Sequence, residues 1–161
     1  MALRAAGIPA ALDLCPFWSN KNGGHTEFVF LNDENTFESN VNTEHKNGLL
    51  KAPKVYRLLS EENPKLQFLR NKTIHRDLSF LSDLYYVDVT DQHTSVKKEK
   101  IHVKNKKMEG EIIYACVYSG NKWHPVALSV VKNSYAQFEN LNVAISYRYA
   151  YLQDDILYQI I

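Results

Sequence analysis

From Leu84 to the C-terminus the sequence repeats one pattern: short runs of β-branched, aromatic and aliphatic residues, broken by turn residues about every 8–12 positions. The runs are Leu84–Val89, Thr94–Val103, Glu111–Tyr118, Trp123–Lys132, Tyr135–Phe138, Val143–Leu152 and Ile156–Ile161. Ser119-Gly120-Asn121-Lys122 and Lys132-Asn133-Ser134 supply turn chemistry between them. No helical period runs through this half. Short strands cannot bury an apolar face alone, and two packed antiparallel sheets are the economical solution. The expected fold is mainly β (α+β overall), with an antiparallel β-sandwich of roughly seven strands at the C-terminal end.

The first half is patterned differently. Met1–Ala6 reads as the last turns of a helix, ended by Gly7 and by Ile8-Pro9. Ala10–Cys15 reads as a buried strand, and 16–24 as a polar, glycine-containing loop. His25–Leu31 alternates, with Phe28 and Phe30 on one face and Val29 and Leu31 on the other. Asn32-Asp33-Glu34-Asn35 is a turn, and Thr36–Asn40 returns as the second arm of a hairpin. Ser39–Lys51 reads as a connector, and Pro53–Ser60 as a strand or a short helix. Glu61–Leu78 reads as irregular structure with one helical turn. The expected division is 1–52 as a partial α/β-hairpin unit, 53–83 as a connector and 84–161 as the sandwich.

Composition removes several function classes. The net charge is +1, so no global field favours nucleic acid or an anionic membrane. No run of about 20 apolar residues exists to form a membrane span. The apolar start lacks the basic stretch and long apolar core of a signal peptide. Cys15 and Cys116 are the only cysteines, too few for a disulfide scaffold, and they read as buried small hydrophobes. His45, His75, His93, His102 and His124 show no metal-ligand spacing, so neither a metal nor another cofactor is expected. Lysines at 97, 98, 100, 104, 106 and 107 fit the solvent face of an edge strand. Trp18 and Phe17 fit packing under a loop better than a substrate cleft. Trp123 and the tyrosines fit core packing better than a sugar platform.

One constellation carries chemistry. ALRAAGIPAALDL is followed by an aromatic loop with PFW, then GGHTEFVFL, a turn, and TFE. A thiol needs a base within hydrogen-bond reach to become a thiolate near neutral pH, and that base needs an acceptor on its other ring nitrogen. His25 opens a strand beside Gly23-Gly24, and Glu38 lies in the other arm of the hairpin, where neighbouring strands can set two side chains side by side. Asp33 and Glu27 are the alternative acids.

These segments resemble the transglutaminase-like family, which shares a papain-type Cys–His–Asp arrangement, and more narrowly its Bacteroidetes members. KVYR at 54–57 and VDVTD at 87–91 also resemble segments of those proteins. The resemblance implies a cysteine peptidase or acyltransferase acting on a peptide or protein substrate, with His25 as general base and Glu38 as its orienting acid. It implies a periplasmic, surface or secreted setting. It also puts the nucleophilic cysteine at a helix N-terminus about a dozen residues before the GIPA segment, upstream of Met1. Cys15, at a strand end with no helix dipole to activate it, is not expected to replace that residue. The chain by itself is therefore expected to be inactive. The alternative is a non-catalytic β-sandwich module binding protein or carbohydrate, with a degenerate catalytic remnant.

Overall fold

The computed structural model describes residues 6–39 and 51–160, and its architecture is mainly β with antiparallel pairing throughout. Strands β1 (Ala10–Cys15), β2 (His25–Leu31), β3 (Phe37–Ser39), β4 (Tyr56–Leu58) and β5 (Tyr86–Asp88) form one five-stranded sheet in the order β3-β2-β1-β4-β5. Strands β7 (Ile112–Ser119), β8 (Lys122–Val130), β10 (Arg148–Gln153) and β11 (Ile156–Gln159) form a second, in the order β11-β10-β7-β8. Strands β6 (Val96–His102) and β9 (Tyr135–Asn142) pair with each other alone.

The reason for this layering is readable in β7, IIYACVYS, whose first six residues are all buried. A strand apolar on both faces must be covered on both. Ile113 and Ala115 point to the β6–β9 pair and meet Val103, Ala136, Phe138 and Leu141. Ile112, Tyr114 and Cys116 point the other way, into Leu69, Leu78, Leu81 and Leu84. Leu69, Leu78 and Leu81 come from two 3-10 helices, Pro64–Leu69 and Arg76–Asp83, and Leu84 caps the second. Asn63 starts the first, its Oδ1 accepting the Lys65 N–H 3.0 Å away with Pro64 next in line. The segment expected to be irregular with one helical turn is thus the second cover of the sandwich.

Three two-residue turns set the hairpin registers, each with both central residues at positive φ: Gly120-Asn121, Asn133-Ser134 and Asp154-Asp155. That is the twist two-residue hairpins require. Leu84 also sits at φ 64, although it is a buried leucine, where it turns the second 3-10 helix into β5.

Several expected boundaries change. The divisions at 52/53 and 83/84 cut through the first sheet, because β4 and β5 are two of its strands. Leu84–Val89 therefore belongs to that sheet and not to the sandwich, which holds six strands among the described residues. Val143–Leu152 is a strand only from Arg148; before it, Asn142 Oδ1 accepts the Ala144 N–H and bends the chain. All but Ala6 of the helix expected at Met1–Ala6, and most of the connector expected at Ser39–Lys51, lie outside the described residues; Ala6 is in a turn. No described helix is long and apolar enough to cross a membrane.

The first sheet is fastened to the sandwich by specific bonds. Tyr56 reaches into the leucine-lined core and its hydroxyl donates to the Val126 carbonyl at 2.7 Å, at the edge strand β8. Tyr56→Phe keeps the ring and leaves that carbonyl without its donor. The expected cost is about 1–1.5 kcal/mol, measurable as a lower urea midpoint at unchanged slope.

Candidate functional site

His25 is the first residue of β2 and stands directly across from Cys15, the last residue of β1. The loop between them is tight. Trp18 N–H donates to the Gly23 carbonyl at 2.9 Å, and Trp18 is almost wholly buried, its ring 5.9 Å from the His25 ring. Gly24 is needed because a Cβ there would run into the carbonyl oxygens of Cys15 and Pro16. Gly24 thus serves close backbone approach, while Gly23 supplies the positive φ of the turn. Phe17 leaves this loop to stack on His124 at 3.7 Å, so both aromatic residues of the loop pack.

Glu38 does not meet His25. It pairs with Phe30, which lies on the opposite face of β2 from His25. It is also five positions along the strand, roughly 16 Å away. Its carboxylate instead accepts from Asn32 Nδ2 at 2.9 Å, and Asn32 Oδ1 in turn accepts from the Glu34 and Thr36 amides. Glu38 is part of the turn's wiring. Asp33 is exposed in that turn. Glu27 is the candidate acid that shares the His25 face, two residues along the strand, and it is buried.

That face carries a charged cluster that sequence reasoning missed. Asp13 lies opposite Glu27 on one side and Arg57 on the other. Arg57 grips it with two bonds, Nε to Oδ1 at 2.7 Å and Nη2 to Oδ2 at 2.8 Å. His93 Nε2 lies 2.8 Å from the same Oδ2. The guanidinium also lies 4.2 Å over the Phe37 ring. Burial pushes the Asp13 carboxyl up, but the bonds from His93 and Arg57 and the Arg57 charge outweigh it and hold its pKa below the ordinary value.

The segments KVYR and VDVTD interlock around this cluster. Lys54 is ion-paired with Asp88. Asp88 Oδ1 accepts from the Thr90 amide and hydroxyl, and Thr90 Oγ1 accepts the Val55 N–H at 3.0 Å. The helical turn Thr90–His93 that follows sets His93 over Asp13. One signal in the sequence could have exposed the cluster. In LDLC, the period of two puts Asp13 on the same face as Ala11 and Cys15, where a carboxylate needs a partner.

Neither thiol is poised for attack. Cys15 donates to the Phe17 carbonyl at 3.4 Å, and burial pushes its pKa up to about 12. Burial does the same to Cys116. At pH 8 such a thiol is ionised in roughly one molecule in ten thousand. Alkylation by iodoacetamide at pH 8 is expected to leave both cysteines unmodified in the folded chain and to modify both in urea, as read by intact mass. Rapid native labelling of Cys15 would overturn its assignment as an inert core residue.

Two of the exposed aromatics form a pair. Tyr118 and Trp123 meet edge to face at 5.5 Å, with the Arg148 guanidinium 5.3 Å from the Trp123 ring. Tyr56, Tyr114 and Tyr147 serve packing and hydrogen bonding. Comparison with protein-family models, curated proteins and solved structures returned no match.

Proposed function

We propose that the chain is the histidine-bearing part of a transglutaminase-like cysteine peptidase or acyltransferase, and that it is inactive without a thiol supplied by a segment outside the described residues. The observation that carries this reading is the face of the first sheet on which His25 sits. It holds a partly exposed histidine at a strand start and, beside it, the buried groups Asp13, Glu27 and Arg57, with the half-buried His93 bonded to Asp13. Buried charge is expensive unless it is paired and hydrogen-bonded. Such expense is typical of sites where charge is used.

In this reading a cysteine thiolate attacks the carbonyl of a peptide bond or of a glutamine side chain. His25 takes the thiol proton and gives it to the departing amine. Water or an acceptor amine then opens the thioester, and the proton returns through His25. Glu27, not Glu38, is the acid positioned on the face where it could orient the imidazole. The setting is periplasmic or extracellular, as the resemblance implies.

The test is a peptidase and amine-incorporation assay on two proteins: this chain, and a product of the same gene extended upstream of Met1. The chain alone is expected to be inert. The extended product is expected to be active and to lose at least about a hundredfold in rate on His25→Ala, with Glu38→Ala near wild type. Activity in this chain alone, or a large loss with Glu38→Ala, contradicts the reading.

A second reading, a non-catalytic module binding protein or carbohydrate, is favoured by the exposed Tyr118–Trp123 pair and by the two buried thiols. An extended product that lacks any activatable cysteine would support it.

A further inference from the structure

A cleft of ≈ 650 Å³ opens between the outer face of β9, the edge of β8 and the first 3-10 helix. That size falls in the range of about 300–1,000 Å³ usual for small-ligand sites. Its lining is dominated by one charge. Lys72, Lys100 and Lys132 converge on it from three separate segments. Among the described residues none of the three has a carboxylate within ion-pair distance. Lys72 Nζ is held by a neutral group, the Gly110 carbonyl at 2.8 Å. Lys100 Nζ sits 4.1 Å over the Tyr135 ring. The one acid in the lining, Glu139, is already neutralised: Lys98 takes one oxygen at 2.7 Å and Gln137 donates to the other at 2.6 Å.

Three ammonium groups around one cleft repel one another, and a bound anion removes that cost. We propose that this cleft binds an acidic oligosaccharide, its carboxylates or sulfates lying between Lys72, Lys100 and Lys132. Two features select a sugar among anions. Phe68 lines the cleft with its ring exposed, a flat apolar surface for one sugar face. Ser129, Asn133 and Gln137 place neutral polar groups between the charges, suited to hydroxyls. Single-stranded nucleic acid fits less well. Successive bases need several free ring faces, and one face of Tyr135 is occupied by Lys100. This site is independent of the His25 reading, and either can fail alone.

The test is calorimetric titration of the chain with trigalacturonate, with its methyl ester, which keeps the shape and removes the charge, and with oligothymidine. Trigalacturonate is expected to bind, its ester about tenfold or more weakly, and the affinity to fall as salt rises. Lys100→Ala and Lys132→Ala are each expected to weaken binding about tenfold, while Lys122→Ala, at the far end of β8, leaves it unchanged. Both cleft lysines are exposed, so circular dichroism and the unfolding midpoint should match wild type and separate a lost site from a lost fold. No binding of trigalacturonate, equal binding of the ester, tighter binding of oligothymidine, or an equal loss with Lys122→Ala would each overturn the proposal.

Discussion

Arg57→Ala is expected to cost about 3–5 kcal/mol of folding stability, the range for breaking a buried ion pair by removing one partner. The loss comes from what is left behind. Asp13 is 1% exposed, and its carboxylate faces Glu27 across the strand pair. Without the two guanidinium bonds it keeps the contact with His93. Arg57 also packs over Phe37, which adds a smaller term. Adding Asp13→Asn to Arg57→Ala should recover part of the loss, because it removes the charge that was stranded. Urea unfolding of the four proteins gives the coupling between the two residues.

The same cluster sets an acid limit. Asp13 has its pKa lowered in the folded state, so at low pH the unfolded chain takes up the proton first. The stability it contributes is present above the unfolded carboxyl value of about 3.9 and is lost as pH falls through the folded value. Asp13→Asn should therefore flatten the acid limb of stability against pH. An unchanged acid limb would show that other carboxylates govern it.

Lys54→Met is the second large effect expected, about 3 kcal/mol or more. Lys54 is 2% exposed and joins the two halves of the molecule. Its Nζ is ion-paired with Asp88 in the first sheet and donates to the carbonyls of Glu139 and Asn140 in the sandwich, at 2.9 and 3.2 Å. Burial lowers its pKa, and the Asp88 charge pulls it partly back. Methionine fills a similar length but leaves Asp88 and two carbonyls without their donor. Lys65→Met, at an exposed position, is the control and should stay within about 0.5 kcal/mol of wild type. A loss under 1 kcal/mol for Lys54→Met would show that the halves are held together by apolar packing alone.

The sequence was most legible where local chemistry alone decides the structure. Ala10–Cys15 and His25–Leu31 form strands at the expected residues, since alternation and turn residues on both sides leave little choice. Most strands of the sandwich were legible for the same reason. For β4 and β5 the strand character was legible in part, in Pro53–Ser60 and Leu84–Val89, but their place in the first sheet was not, because it rests on pairing with distant partners: Asp13 with Arg57, and Tyr56 with Asp88. No local pattern encodes that.

The candidate site was half legible. His25 opens its strand as expected, but the face of Glu38 depends on the parity of the turn. Leu31 pairs with Phe37, so Phe37 shares the His25 face and Glu38 falls on the other. A turn one residue shorter would reverse this, and turn chemistry alone does not fix that count. The Asp13–Arg57–His93 cluster was hidden for a related reason. Its members are 44 and 80 residues apart in sequence, and each alone reads as an ordinary polar residue.

The central claim, that His25 is a base for a thiol supplied from outside the described residues, is tested most directly by the pH dependence of cysteine alkylation. The protein to use is a product of the same gene extended upstream of Met1, as wild type and as His25→Ala. The account predicts one cysteine upstream of Gly7 that reacts with iodoacetamide near pH 6–7 in wild type, with its reactivity moved toward the ordinary thiol pKa of about 8.5 in His25→Ala. A gene with no such cysteine, or an alkylation profile that His25→Ala leaves unchanged, would contradict it.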